Sequence, residues 1–265
     1  MYDNHLHTRF SADSFAEPSD VISRAKEIGL TGVVFTDHWD VGYESLNAEN
    51  IVPAEYAKGE LRDYRTAGGD FGVLNGIELG PMPHVLDRVR RAMSGVRFDF
   101  VLLSAHYVDD VPQSHIDTFF RKYPKAEAYS RYLSTLKNLV ELYGDYDALG
   151  HFDYVSRYAP YPDPLMRYRE CADDFDALFS VLIRQNKALE INTATYRKLG
   201  ARFPFDREIL RRYRELGGEL ICLGSDAHRA RDTGTEFFVF RDILLDCGFS
   251  SVVHYEDRAP VFEKL

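Results

Sequence analysis

Residues 188–228 read ALEINTATYRKLGARFPFDREILRRYRELGGELICLGSDAH. Ala188–Asn192 and Leu220–Gly224 are short and almost continuously apolar, as strands are when both faces of their sheet are covered. Between them Arg207–Leu216 reads as a helix that closes on Gly217-Gly218. Strand, helix and strand of this kind make one unit of a parallel sheet. The alternation continues outward in both directions. Further strands are expected at Tyr2–His7, Gly32–Thr36, Gly72–Leu79, Phe98–Ser104, Ala148–Gly150 and Ser251–His254. Pro18–Ile28 places Val21, Ile22, Ala25 and Ile28 on one helical face, entered at Glu17-Pro18 and left at Gly29. Tyr129–Tyr143 carries Leu133, Leu136, Val140 and Tyr143 in one stripe closed by Gly144, and Phe175–Arg184 reads the same way. Seven or eight such units predict an α/β fold, a (β/α) barrel in preference to an open doubly wound sheet. The longest stretches without an expected strand, Trp39–Asp70 and Tyr107–Asp147, are expected to carry lids over one end. Nothing marks an internal boundary, so residues 1–265 are read as a single domain.

The 265 residues are 45% apolar and 14% aromatic, which excludes a disordered or collagen-like chain and supplies a sizeable core. Basic residues number 32 and acidic ones 42, a net charge of −10 that argues against a dedicated nucleic-acid binder. Cys171, Cys222 and Cys247 are odd in number and scattered, as free thiols in a reducing compartment are. No apolar run approaches membrane-spanning length, and MYDNHLHTRF lacks the basic end and apolar stretch of a signal peptide. The expectation is a soluble cytoplasmic protein with no membrane partner; the oligomeric state is not fixed by the sequence.

The polar residues that follow each strand-like run carry the chemistry. Tyr2-Asp3-Asn4 leads into His5-Leu6-His7, VVFT into Asp37-His38, VLLSA into His106, ALG into His151 and Asp153, and LICLGS into Asp226-Ala227-His228. Glu78 lies in VLNGIELG, and Glu190 and Asn192 in ALEINTA. In a parallel barrel all strand C-termini open on one face, so these groups converge there. His5 and His7, two residues apart on a strand, point to the same side and suit a shared cation; Asp226 and His228 have the same spacing. Imidazole with carboxylate suits Zn, Mn or Fe, whereas no cysteine cluster points to a thiolate site. Singly, each of these residues has an ordinary explanation as a hydrogen-bonded strand-end group; together, buried polar groups need partners that a metal centre provides. His84, His115 and His254 fall outside the pattern and are read as solvated or capping residues.

The motifs D-N-H-L-H-T with Ser11-Ala12-Asp13-Ser14, then F-T-D-H, G-I-E-L-G, S-A-H-Y, G-H-F-D-Y, E-I-N-T and G-S-D-A-H, run in order from residue 3 to residue 228. In these the chain resembles the polymerase-and-histidinol-phosphatase (PHP) superfamily, and within it the monofunctional histidinol-phosphate phosphatases. The resemblance implies a distorted, TIM-like (β/α)7 barrel with two or three divalent ions at the C-terminal ends of its strands. Carried over by motif, His5, His7, Glu78 and Asp226 would hold one ion. Glu78 would bridge to a second completed by His106 and His151, and a third would lie between His38, His228 and Asp13. Many members have a histidine where Asp13 stands; a carboxylate remains a suitable donor there.

The implied reaction is hydrolysis of a phosphomonoester, L-histidinol phosphate, by a hydroxide bridging the metals, made available near neutral pH because coordination acidifies water. Arg157, shortly after the His151 strand end, and Arg197, just past E-I-N-T, are expected to bind the phosphate with planar donor forks. Glu190 and Asn192 are expected to orient ligands or substrate, and Asp226, Asp153 or a coordinated water to protonate the leaving group. The acidic and aromatic segment Asp37–Glu44 suits an amine and imidazole. The rival reading keeps the chemistry and changes the ester, to a PHP-type nuclease or nucleotide phosphoesterase.

Overall fold

The computed structural model describes residues 1–43, 51–61, 63–64, 71–200 and 202–265. Its strands are β1 (Tyr2–Leu6), β2 (Gly32–Phe35), β3 (His38–Val41), β4 (Gly72–Pro81), β5 (Phe100–Leu103), β6 (Tyr107–Val108), β7 (Val111–Pro112), β8 (Ala148–Leu149), β9 (Ala188–Asn192), β10 (Ile221–Gly224), β11 (Ser251–Glu256) and β12 (Ala259–Lys264). Seven of them pair in parallel in the order β1-β2-β4-β5-β8-β9-β10. The chain after β10 then returns to β1: Leu6 bridges Ala227, Asp226 N–H donates to the His5 carbonyl at 2.8 Å, and His7 N–H to that of Ala227 at 3.0 Å. Asp3 strengthens this seam by accepting from the N–H groups of Ser225 and Gly234, each at 2.9 Å. The result is a nearly closed α/β barrel of the expected seven-stranded, TIM-like kind.

Alternate strand positions share a face, and the sequence uses this to stack the barrel. Val34, Leu74, Phe100, Leu102, Ala148, Ala188 and Cys222 form an inner apolar cluster. Two residues further along their strands stand polar or small ones: Thr36, Gly76, Ser104, Gly150, Glu190 and Gly224. The inside is therefore dry at one end and donor-rich at the other. The larger outer cluster joins the strands to helices such as Lys125–Tyr143, which buries Tyr129, Tyr132, Leu133, Leu136, Leu139 and Val140. No helix among the described residues is long and apolar enough to cross a membrane.

Three expectations need correcting. Ser251–His254 is no barrel strand; β11 pairs antiparallel with β12 in a separate hairpin. Its two-residue turn, Asp257-Arg258, has φ of 47° and 70°, the positive-φ pair of a tight hairpin made without the usual glycine. Trp39–Asp70 is not strandless, because β3 continues along the edge of β4 where β2 stops, pairing His38–Val41 with Glu78–Pro81. Tyr107–Asp147 holds the small β6–β7 hairpin. Parts of Trp39–Asp70, Glu44 included, lie outside the described residues.

Candidate metal centre

Most strands deliver their donor by one device, a polar residue at or just past an apolar run, whereas β1, Tyr2–Leu6, is polar along most of its length. His5 is inside β1 and His7 one residue beyond it; both are fully buried. Glu78 sits in β4 opposite His38 of β3, also at zero exposure. His106, His151 and Asp226 follow β5, β8 and β10 and are buried, while His228 and Asp13 lie further out. Gly224 allows the crowding: a Cβ there would meet Glu190 Oε1 at 2.1 Å and His5 Cβ at 2.6 Å. Asp226 holds a left-handed backbone, φ 51°, fixed by its N–H bond to His5.

All nine candidate donors meet in one region. His5 Nε2 faces His7 Nε2 at 3.0 Å, and Asp226 Oδ1 lies 3.3 Å from His7 Nε2. Glu78 Oε1 is 2.9 Å from His151 Nε2 and 3.4 Å from His106 Nε2. Its other oxygen is 2.7 Å from His38 Nδ1 and 3.4 Å from His5 Nε2. His228 Nε2 is 3.0 Å from Asp13 Oδ2, with His38 Nε2 3.8 Å from the same oxygen. Donor atoms lie within 4.8 Å of one another in the sets His5–His7–Asp226, His5–Glu78–His151, His7–His38–His228 and His38–Asp40–His106.

This donor set fits divalent cations. Glu78 Oε2 and His38 Nδ1 are close yet neither makes a directed hydrogen bond, and both are buried. Two imidazole nitrogens facing each other at 3.0 Å, as in His5 and His7, can both turn lone pairs to one ion when it displaces the proton between them. Outer groups turn the rings: His5 Nδ1 is 2.6 Å from Glu190 Oε1, and His7 Nδ1 is 3.1 Å from Ser11 Oγ.

Burial alone would raise the carboxyl of Glu78, but His38, His5 and His106 hold it well below its usual range. Against the same penalty, Arg157 and His5 hold Asp226 low. Burial, with His38 and His228 nearby, keeps His7 neutral, and burial lowers His151 too. For His5, His38 and His106 burial is outweighed by carboxylates, which raise all three, His38 to about 9.

Six of the nine candidate donors, Asp13, His38, His106, His151, Asp226 and His228, line a cavity of about 950 Å³ whose wall includes both Arg157 and Arg197. His5, His7 and Glu78 are fully buried beside them. The Arg157 side chain is only 4% exposed and donates to Asp226, Asn192 and Thr195; Arg197 donates to the Ser225 carbonyl at 2.8 Å. Glu190 lies outside the ring of donors as expected, accepting also from the His151 N–H at 2.6 Å. Asp153 is off the cavity wall, buried, and pushed up to about 6 by that burial. Within Asp37–Glu44, Asp40 and Tyr43 line the cavity, Trp39 packs into the core, and Asp37 fastens the first loop through Thr8, Ser11 and Tyr56. His84 and His115 are exposed in short turns. His254 is not solvated: it is buried, stacked on Tyr2 and 2.9 Å from Glu263. The sequence reading missed Asp40 as a partner of the centre, although it stands two residues after His38, the spacing of the other donor pairs.

Fold and site together define a metal-centre barrel, an α/β barrel that pools imidazole and carboxylate donors at the C-terminal ends of its strands. The family model for the PHP domain matches residues 3–194, and the chain belongs to that family. It is 28% identical to a histidinol-phosphatase of Lactococcus lactis over 96% of this chain and 93% of that one. Against a "Probable histidinol-phosphatase" of Clostridium acetobutylicum it is 30% identical over 89% and 90%. Among solved structures, histidinol phosphate phosphatase from Lactococcus lactis, complexed with Zn, L-histidinol and phosphate, superposes with a TM-score of 0.87 at 27% identity, covering 98% of both chains.

Proposed function

We propose that the chain is a metal-dependent phosphomonoesterase that hydrolyses L-histidinol phosphate to L-histidinol and phosphate, as a single barrel domain over residues 1–265. The observation that carries this reading is a cluster of nine candidate metal donors, six of which line one cavity together with two arginines. The substrate is taken from the Lactococcus lactis relative, whose structure binds the two products together with Zn. His5, His7, Glu78 and Asp226 would hold one ion, Glu78, His106 and His151 a second, and His38, His228 and Asp13 a third. Zn, Mn and Fe all suit such donors. Bound there, the ions supply positive charge for the phosphate oxygens and acidify water for the attack.

The rest is done by the chain itself. A guanidinium carries five N–H donors, and Arg157 uses three on Asp226, Asn192 and Thr195, which leaves two for phosphate oxygens. Arg197 is anchored on main-chain carbonyls and faces the same space. A cytoplasmic setting agrees with the three buried free cysteines.

Purified protein supplied with Zn or Mn is expected to release phosphate from L-histidinol phosphate, and His7→Ala or Asp226→Ala to abolish turnover. Activity kept by both variants in chelator would overturn the reading. Single-stranded DNA and nucleoside monophosphates, run beside it, are expected to be poor substrates. Preference for either would move the assignment to the nuclease or nucleotidase reading.

A further inference from the structure

Asp40 lines the cavity beside the donors yet has no part in the three proposed ion sites. Asp40 lies on β3, paired in register with Gly80 of β4, and its Oδ1 is 2.8 Å from Nδ1 of His106. That contact favours Nδ1–H donated to the carboxylate, which leaves Nε2 of His106 as the nitrogen an ion would use once its proton is displaced. Nε2 is the atom near Glu78 Oε1 and His151 Nε2, at 3.4 and 3.3 Å. His5 shows the same arrangement, with Glu190 on Nδ1 and Nε2 turned to the other donors.

The neighbouring strand is shaped for this pair. A Cβ built on Gly80 would lie 1.7 Å from Asp40 Oδ1 and 2.8 Å from His106 Nδ1. Any larger residue at that position must push the carboxylate off the imidazole. Asp40 also lies closer to His106 than Glu78 does, and its side-chain exposure of 14% leaves the contact little competition from water.

We propose that Asp40 is a positioning residue of the metal centre, which holds His106 with Nε2 toward the ion it shares with Glu78 and His151, and that Gly80 is the residue that admits it. This rests on His106 being a metal ligand, as the proposed function has it.

The test is calorimetric titration of the metal-free protein with Zn and with Mn, alongside elemental analysis after desalting, for wild type, Asp40→Ala, Asp40→Asn and Gly80→Ala. Wild type is expected to take up its full complement. Asp40→Ala is expected to bind one ion roughly 10–100-fold more weakly and the others unchanged, the usual cost of losing such an outer partner. Asp40→Asn, whose amide oxygen still accepts from Nδ1–H, is expected to fall between them. Gly80→Ala should reproduce the Asp40→Ala loss, with its circular dichroism and melting curve reporting whether the barrel is intact. In turnover assays kcat of Asp40→Ala should recover in excess metal with KM for L-histidinol phosphate little changed. Undiminished metal uptake by Asp40→Ala, with or without a raised KM, overturns the role given to Asp40 alone. Failure of wild type to bind any divalent cation overturns the metal centre as a whole.

Discussion

Arg157 Nη1 sits 2.7 Å from Asp226 Oδ2, Nη2 is 2.8 Å from Asn192 Oδ1, and Nε is 3.1 Å from Thr195 Oγ1. Three acceptors in three directions require a planar fork, and a lysine ammonium on a single stem cannot reach them all. The same guanidinium is the leading attractive influence holding Asp226 ionised against its burial. Arg157→Lys keeps the charge and loses the geometry. It is expected to lower kcat/KM for L-histidinol phosphate on the order of 100-fold, equivalent to ~2.7 kcal/mol of transition-state stabilisation. Metal content measured on the same preparation should stay at the wild-type level, because the positive partner of Asp226 remains. Turnover within twofold of wild type would remove Arg157 from the phosphate-binding groups.

The β11–β12 hairpin closes the barrel at the end away from the donors, packing Val253 and Tyr255 on the inner cluster with Phe100 and Cys222. Glu263 on β12 ties it to β1 and to the chain before β2: it accepts from Tyr2 N–H at 3.2 Å and Thr31 Oγ1 at 3.0 Å, and meets His254 at 2.9 Å. Burial would raise this carboxyl, but His254 and the N-terminal ammonium bring it down to about 2 from 4.5. A depressed carboxylate contributes stability above its unfolded value, here about 4.5, and loses it as pH falls toward 2. Glu263→Gln should therefore melt lower than wild type at pH 7, by about 2–4 °C for each ~1 kcal/mol lost. The gap should close as pH drops through the 4.5-to-2 window, and a gap of constant size in melts at neutral and acid pH would count against the latch. None of this hairpin's pairing was legible in the sequence, because its turn is Asp257-Arg258, a pair without the glycine that marks such turns. Most barrel strands were legible as largely apolar runs leading into polar groups, while β1, with Asp3, Asn4 and His5 inside it, was marked by its polar residues instead. The helix Phe237–Asp246 went unread because Phe238, Val239 and Leu245 stay exposed on its outer side and erase the amphipathic stripe. Eight of the nine candidate donors stood out through i, i+2 pairs and strand-end positions, and Asp13 only through the family resemblance; Asp40 went unread although it stands two residues after His38.

Across the whole molecule the metal centre and the folding equilibrium draw on the same protons. His5, His38 and His106 hold theirs more tightly folded than unfolded, His38 up to about 9, since neighbouring carboxylates outweigh the burial penalty. Between pH 6.5 and 9 the unfolded chain has released these protons while the folded, metal-free chain retains them. The folded state then binds more protons, so its stability falls as pH rises. His7 and His151, both lowered, are neutral in the folded chain, so they oppose this slope only near the unfolded value of 6.5 and add none toward pH 9. Divalent cations compete with protons for the same nitrogens, so uptake displaces protons and tightens with pH. An ion present at a hundred times its Kd adds ~2.7 kcal/mol of stability, which at this chain length raises Tm by about 5–11 °C. Chelator-treated protein is thus expected to melt at falling temperatures from pH 6.5 to 9. Protein loaded with Zn or Mn should melt higher throughout, with the difference widening as pH rises. Differential scanning calorimetry of the two forms at matched pH measures that difference directly. A pH-independent difference would mean that the ions enter without displacing the imidazole protons, and so bind somewhere other than among these histidines.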